Sequence, residues 1–134
     1  MIDITNDSLI QKAKSVIKAD NKSSITGTVG CVLITEKGNI YTGVCIKNES
    51  EPHICAEQNA ISEMKKTGES KINKIVATWK DDKGDYYIVS PCGRCRQAIY
   101  DVNKENLNSD VILDVNTMVK LSELLPHNSE YNKI

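Results

Sequence analysis

Two stretches decide the reading, "HICAEQNAI" at residues 53–61 and "SPCGRCRQAI" at residues 90–99. They carry three cysteines, Cys55 alone and Cys92 with Cys95 at C-x-x-C spacing. Three protein ligands are what a catalytic zinc site uses, its fourth tetrahedral position being kept for water. A C-x-x-C pair brings two sulfurs to one ion, and the third must arrive from elsewhere in space. Both groups fall where the sequence predicts helix N-termini, whose free N–H groups and positive dipole end favour thiolate over thiol. Glu57, two residues after the first cysteine, is the second clue. A structural zinc knot takes four protein ligands and has no use for an adjacent carboxylate. A glutamate so placed can take a proton from the water and pass it to a substrate.

With 134 residues, the chain is expected to form one domain, residues 1–134, with a core at about 5–126 and a polar tail at 127–134. Hydrophobic residues make up 40% and charged residues 26%, the balance of an ordinary globular protein. A formal net charge of −1 offers no basic surface for nucleic acid or an anionic membrane. "MIDITNDSLI" lacks a basic region followed by an apolar core, and no apolar run reaches the ~20 residues that span a bilayer, so neither signal peptide nor membrane span is expected. Five cysteines is an odd number, which favours zinc-bound or free thiols in a reducing, cytoplasmic setting over a disulfide framework.

Helices and strands alternate along the chain. Thr5 or Asn6 can cap a helix carrying Leu9, Ile10, Ala13, Val16 and Ile17 at helical spacing. "TVGCVLIT" (28–35), "EKG" and "NIYTGVCI" (39–46) read as a hairpin with Gly38 in the turn. A second helix is expected from about Cys55 to Thr67, ended by Gly68, and a strand at 72–79. "YYIV" (86–89) looks extended, Pro91 and Gly93 open a third helix, and "VILDV" (111–115) is a fifth strand. Met118, Leu121, Leu124 and Leu125 suggest a last helix stopped by Pro126. Trp79 is assigned to the core, and Cys31 and Cys45 to buried thiols.

The motifs resemble the signatures of the cytidine deaminase family. "C-A-E" at 55–57 and "S-P-C-G-R-C-R-Q" at 90–97 match in order. "VGCVLITEKGNIYTGV" at 29–44 is similar to the family's hairpin, and "S-E-L-L-P" at 122–126 resembles its C-terminal stretch. Within the family, "PCGRCRQ" combined with C-A-E looks closest to blasticidin S deaminase. The resemblance implies a three-layer α/β/α fold on a mixed five-stranded sheet, a homotetramer, and zinc-dependent hydrolysis at C4 of a cytosine ring. It implies zinc held by Cys55, Cys92 and Cys95, with Glu57 protonating N3 and then the leaving amine. The backbone N–H of Ala56 would hold the ring's O2, and the carbonyl of Ser90 would accept from the amino group. The substrate would be cytidine, deoxycytidine or an analogue such as blasticidin S, the last making the protein an antibiotic-resistance enzyme.

Some positions depart from the family pattern. Three thiolates on a doubly charged ion leave one net negative charge, which makes the bound water less acidic. Many cysteine-type members carry Arg directly after C-A-E, where Gln58 stands here; Arg94 and Arg96 are then expected to donate to the sulfurs, Arg94 ahead of Arg96. An Asn and a Glu that hold ribose hydroxyls in relatives correspond, within "GVCIKNE", to Cys45 and Lys47. Lysine is donor-only where glutamate is acceptor-only, so Lys47 suits a carboxylate better than a hydroxyl pair. Gly27 stands at the usual pocket aromatic, and Ser129 at the aromatic after the "ELLP" proline, with Tyr131 a replacement two residues on. His53 lies too close to Cys55 to act as ligand in its place. An alternative is a catalytically idle relative that keeps zinc only for folding, but an intact Glu57 favours the enzyme. A polynucleotide editor is disfavoured by the lack of basic surface.

Overall fold

Helix α1, Asn6–Ser15, starts at Thr5, whose Oγ1 accepts from the Ser8 N–H at 3.1 Å. Its buried stripe is Leu9, Ile10 and Ala13, the spacing that puts three residues on one helical face. The helix ends before Val16 and Ile17, which the sequence spacing had included. The computed structural model describes residues 4–18, 26–47, 53–129 and 131–134. Asn48 and Glu49 of "GVCIKNE" lie outside these.

The hairpin forms as expected, with β1 at Val29–Thr35 and β2 at Ile40–Val44, and Gly38 adopting φ +87° in its turn. Helix α2 is Ala56–Lys66, β3 is Ile72–Lys80, β4 is Tyr86–Val89 and helix α3 is Gly93–Val102. Strand β5 is Asp110–Asp114.

The sheet has six strands rather than five. The sixth, β6, is Thr117–Lys120, which pairs antiparallel with β5, so Met118 belongs to a strand and the last helix, α4, is only Leu121–Leu124. The physical reason is pairing with β5: Thr117 and Val119 are β-branched, and Lys120 lies opposite Asp110 with an ion pair of 2.8 Å. The strand order is β2-β1-β3-β5-β6, with β4 paired to the far end of β3. Only the β3–β5 pairing is parallel among the described strands, which makes the sheet mixed. A short 3-10 turn at Lys104–Asn108, not foreseen from the sequence, buries Asn106. The Asn106 side chain accepts from Ile72 N–H at 2.9 Å and donates to the Ser70 and Ile99 carbonyls, joining β3 to the end of α3.

Alternate residues of each strand face opposite layers. Val32, Ile34, Val76 and Ile112 pack with α1. Cys31, Leu33, Ile75, Ala77 and Val111 pack with Ala60 and Met64 of α2 and Ile99 of α3. Helices on both faces give the α/β/α layering, and each fully buried Leu or Ile contributes roughly 1.5–3 kcal/mol of transfer free energy. Gly30 lets α1 approach β1, since a Cβ there would collide with the Ala13 carbonyl. Gly43 does the same for α2, because its Cβ would overlap the Ala56 carbonyl and the Ala60 nitrogen.

Candidate active site

The close approach at Gly43 fixes where α2 begins. Asn59 Nδ2 donates to the Val44 carbonyl at 2.6 Å, so the helix's first turn is tied to the end of β2. Cys55 is the N-cap of α2 and Cys92 the N-cap of α3, both with extended backbone, and Cys95 lies in the first turn of α3. The three sulfurs all lie within 4.8 Å of one another. A tetrahedral ion with Zn–S bonds of ~2.3 Å needs sulfurs about 3.8 Å apart. The cluster therefore fits zinc in number, donor type and spacing, and the residues foreseen as ligands are the ones the fold brings together.

Protonation in this cluster follows burial and the helix starts. Burial raises Cys55, assisted by the neighbouring charges of Cys92 and Glu57. Burial also pushes Cys92 up, but the backbone N–H groups of Cys95 and Arg94 and the adjacent thiols outweigh it, and Cys92 ends below its ordinary value. These N–H···S contacts fall short of a true cap bond, and they act as dipoles aimed at the sulfur. Cys95 is pushed far up, by burial first and Glu57 next. A coordinating ion deprotonates such thiols outright. Glu57 is 6% exposed, and its carboxyl is raised by burial, against the pull of its own backbone N–H and of Cys95.

A cavity of about 410 Å³ opens over the cluster. Its lining includes Cys55, Cys92, Ala56 and Glu57 as well as Ser90, Cys45 and Lys47, so the residues named from the sequence for substrate contact all reach one space. His53 lines it too, but stands outside the three-sulfur cluster. A groove of about 480 Å³ between β2 and α2 is slightly larger, yet its lining holds no His or Cys and only Glu63 as an acidic group, so the chemistry belongs to the smaller one.

Three expectations change. Trp79 is not core: it is 40% exposed and forms part of the cavity wall, beside Val29 and Val89. Strand parity made it read as core, since Trp79 follows Ile75 and Ala77 on the face that α2 covers, but the helix stops short of it. Cys45 is half-buried in the same wall rather than a core thiol, unlike Cys31, which is 0% exposed. The arginines do not reach sulfur. Arg94 donates to the His53 carbonyl at 3.4 Å, and Arg96 donates to the Pro91 and Leu124 carbonyls and to Ser90 Oγ. Guanidinium forks match oxygen acceptors held by a folded backbone, and α3 turns both side chains toward carbonyls. Tyr131 is 99% exposed and lies outside the cavity lining.

Comparison with known proteins agrees with this geometry. Residues 4–108 match the family described as the cytidine and deoxycytidylate deaminase zinc-binding region. A probable cytidine deaminase of Dictyostelium discoideum is 39% identical over 70 residues, 52% of this chain and 46% of that protein. The chain thus spans about half the length of that relative. A cytidine deaminase of Mycoplasma genitalium is 28% identical over 98 residues, 72% of each chain. The crystal structure of cytidine deaminase from Mycobacterium leprae superposes with a TM-score of 0.74 at 26% identity, covering 93% of this chain and 100% of the other. With its sulfur cluster, its buried glutamate and its sheet all in place, the chain belongs to the cytidine and deoxycytidylate deaminase zinc-binding family.

Proposed function

We propose that this chain hydrolyses the 4-amino group of a cytosine nucleoside or analogue, taking up water and releasing ammonia and the uracil product. The observation that carries the reading is the Glu57 carboxyl, buried on the cavity floor beside three clustered sulfurs. A zinc ion held by Cys55, Cys92 and Cys95 would supply, when bound, a water more acidic than bulk water. Burial raises the Glu57 carboxyl from its ordinary value, which suits a group that must both take and give protons. Glu57 takes a proton from the attacking water and places it on ring N3. It then carries the second proton to the amine, the C4–N bond breaks as C4 becomes a carbonyl, and ammonia leaves. Ala56 is the first helical residue of α2, and its N–H is among the groups without an intrahelical partner, free to hold the ring's O2. The Ser90 carbonyl accepts from the amino group.

The sugar end of the site favours negative charge. Lys47 N–H donates to Thr26 Oγ1 at 2.8 Å, and that hydroxyl donates to the Lys47 carbonyl at 3.0 Å, so the residue is held in place at the cavity's edge. Cys45 and an ammonium are poor partners for ribose hydroxyls, whereas a carboxylate on the sugar, as in blasticidin S, pairs with Lys47. Ammonia release should be assayed with cytidine, deoxycytidine, cytosine and blasticidin S. Blasticidin S is expected to be deaminated at least as efficiently as cytidine, and Lys47→Glu to shift the kcat/KM ratio toward cytidine. An unchanged ratio would defeat the carboxylate pairing, and turnover of cytidine alone would return the protein to ordinary pyrimidine salvage. Cytoplasmic residence suits five cysteines without a disulfide, three of them placed to hold zinc. The family likeness supports a homotetramer; a monomer by light scattering at micromolar concentration would contradict it.

A further inference from the structure

We propose that Trp79 determines specificity at the cavity mouth by packing against whatever group the cytosine ring carries on N1. This rests on the deaminase reading above. Along β3, Ala77 lies under α2 at 3% exposure, and Trp79, two residues on, lies on the same sheet face at 40% exposure. Its register partners are Val29 on one side and Tyr87 on the other. The indole therefore stands where the sheet runs out from beneath the helix and into the cavity.

The ring is held ready rather than loose. Tyr87 lies beside it, with centroids 5.4 Å apart and planes at 30°. The Asp81 carboxylate lies near enough to Tyr87 to raise its phenol above the ordinary value, and Asp81 Oδ1 accepts from Lys83 N–H at 2.9 Å and Asp85 N–H at 2.8 Å. The turn between β3 and β4 thus holds Asp81 beside Tyr87, and Tyr87 backs Trp79.

Depth assigns the contact. Glu57 is 6% exposed at the floor, whereas Trp79 is at the rim. In a pyrimidine, C4 and N1 are opposite vertices of the six-membered ring. A ring that presents C4 to Glu57 must project its N1 substituent outward, past Trp79. An exposed indole face suits the C–H surface of a sugar and has nothing to grip on a free base.

Trp79 is the chain's single tryptophan, so its emission reports on this wall directly. Zinc-loaded Glu57→Gln protein, titrated with cytidine and separately with cytosine, should shift its emission to shorter wavelength with cytidine and much less with cytosine. Trp79→Ala should raise KM for cytidine about 10-fold or more, a scale typical of lost apolar contacts. It should leave kcat and the inhibition constant of cytosine near wild type. Trp79→Phe should recover most of the loss, and Tyr87→Ala should cost less than Trp79→Ala. Cytidine turnover with unchanged emission at saturation would overturn the proposal, as would equal effects of Trp79→Ala on cytidine and cytosine. Absence of turnover and of any emission change with cytidine, deoxycytidine and blasticidin S alike would instead sink the deaminase reading and this inference with it.

Discussion

Three helices of this protein begin in two different ways. Helix α1 begins with Thr5, whose hydroxyl accepts a first-turn N–H at 3.1 Å, as a capping oxygen should. Helices α2 and α3 begin with Cys55 and Cys92, neither of which makes a side-chain cap bond. At α1 the exposed N–H groups are a structural problem with a local solution. At α2 and α3 they stay available to sulfur and to a ligand, and the two starts face each other across the cluster. Function sits where ordinary capping is withheld.

That contrast can be broken at both ends. The largest effect belongs to Cys92→Ser: zinc content should fall from about one per chain toward none, with loss of turnover and a lower thermal midpoint, because metal binding and folding are coupled. In the presence of a chelator the order should reverse or level, since serine is a preferred N-cap oxygen and cysteine is not. Full zinc occupancy in the variant would remove Cys92 from the site. Asn59→Ala removes the tie between α2 and the end of β2. It should cost about 1 kcal/mol in denaturant unfolding and lower kcat/KM several-fold, because Glu57 and the β2 end then move independently. Unchanged catalysis with lowered stability would make Asn59 purely structural. The smallest effect is Thr5→Ala, expected to cost about 1 kcal/mol or less while zinc content and turnover stay at wild-type levels. A change in zinc content there would deny that the helix starts differ in role.

The sequence disclosed what is local and chemical. Cys55, Cys92, Cys95 and Glu57 could be grouped because thiols at two helix starts, with a carboxylate beside one of them, suit a metal ion and a proton carrier. The hairpin was legible because Gly38 punctuates two β-branched runs. What stayed hidden depends on where the chain turns in space. "TMVK" is too short to show its period, and only pairing with β5 makes it a strand. Trp79 alternates like a core residue, and nothing local says that the covering helix stops short of it. Arg94 and Arg96 have the right charge to serve the sulfurs, but α3 directs them to backbone carbonyls instead. Asn106 reads as a loop residue, although it is 1% exposed and bridges two layers.

The central claim is that Glu57 moves the protons while the cysteines hold the metal, and one paired measurement on Glu57→Gln tests it. Zinc content and ammonia release from whichever cytosine nucleoside the wild type turns over should be determined on the same preparation. The account predicts about one zinc per chain, an unchanged fold, and release reduced by ~10²–10⁴-fold, the usual worth of a positioned proton carrier. Near-normal release from a zinc-loaded variant would contradict it.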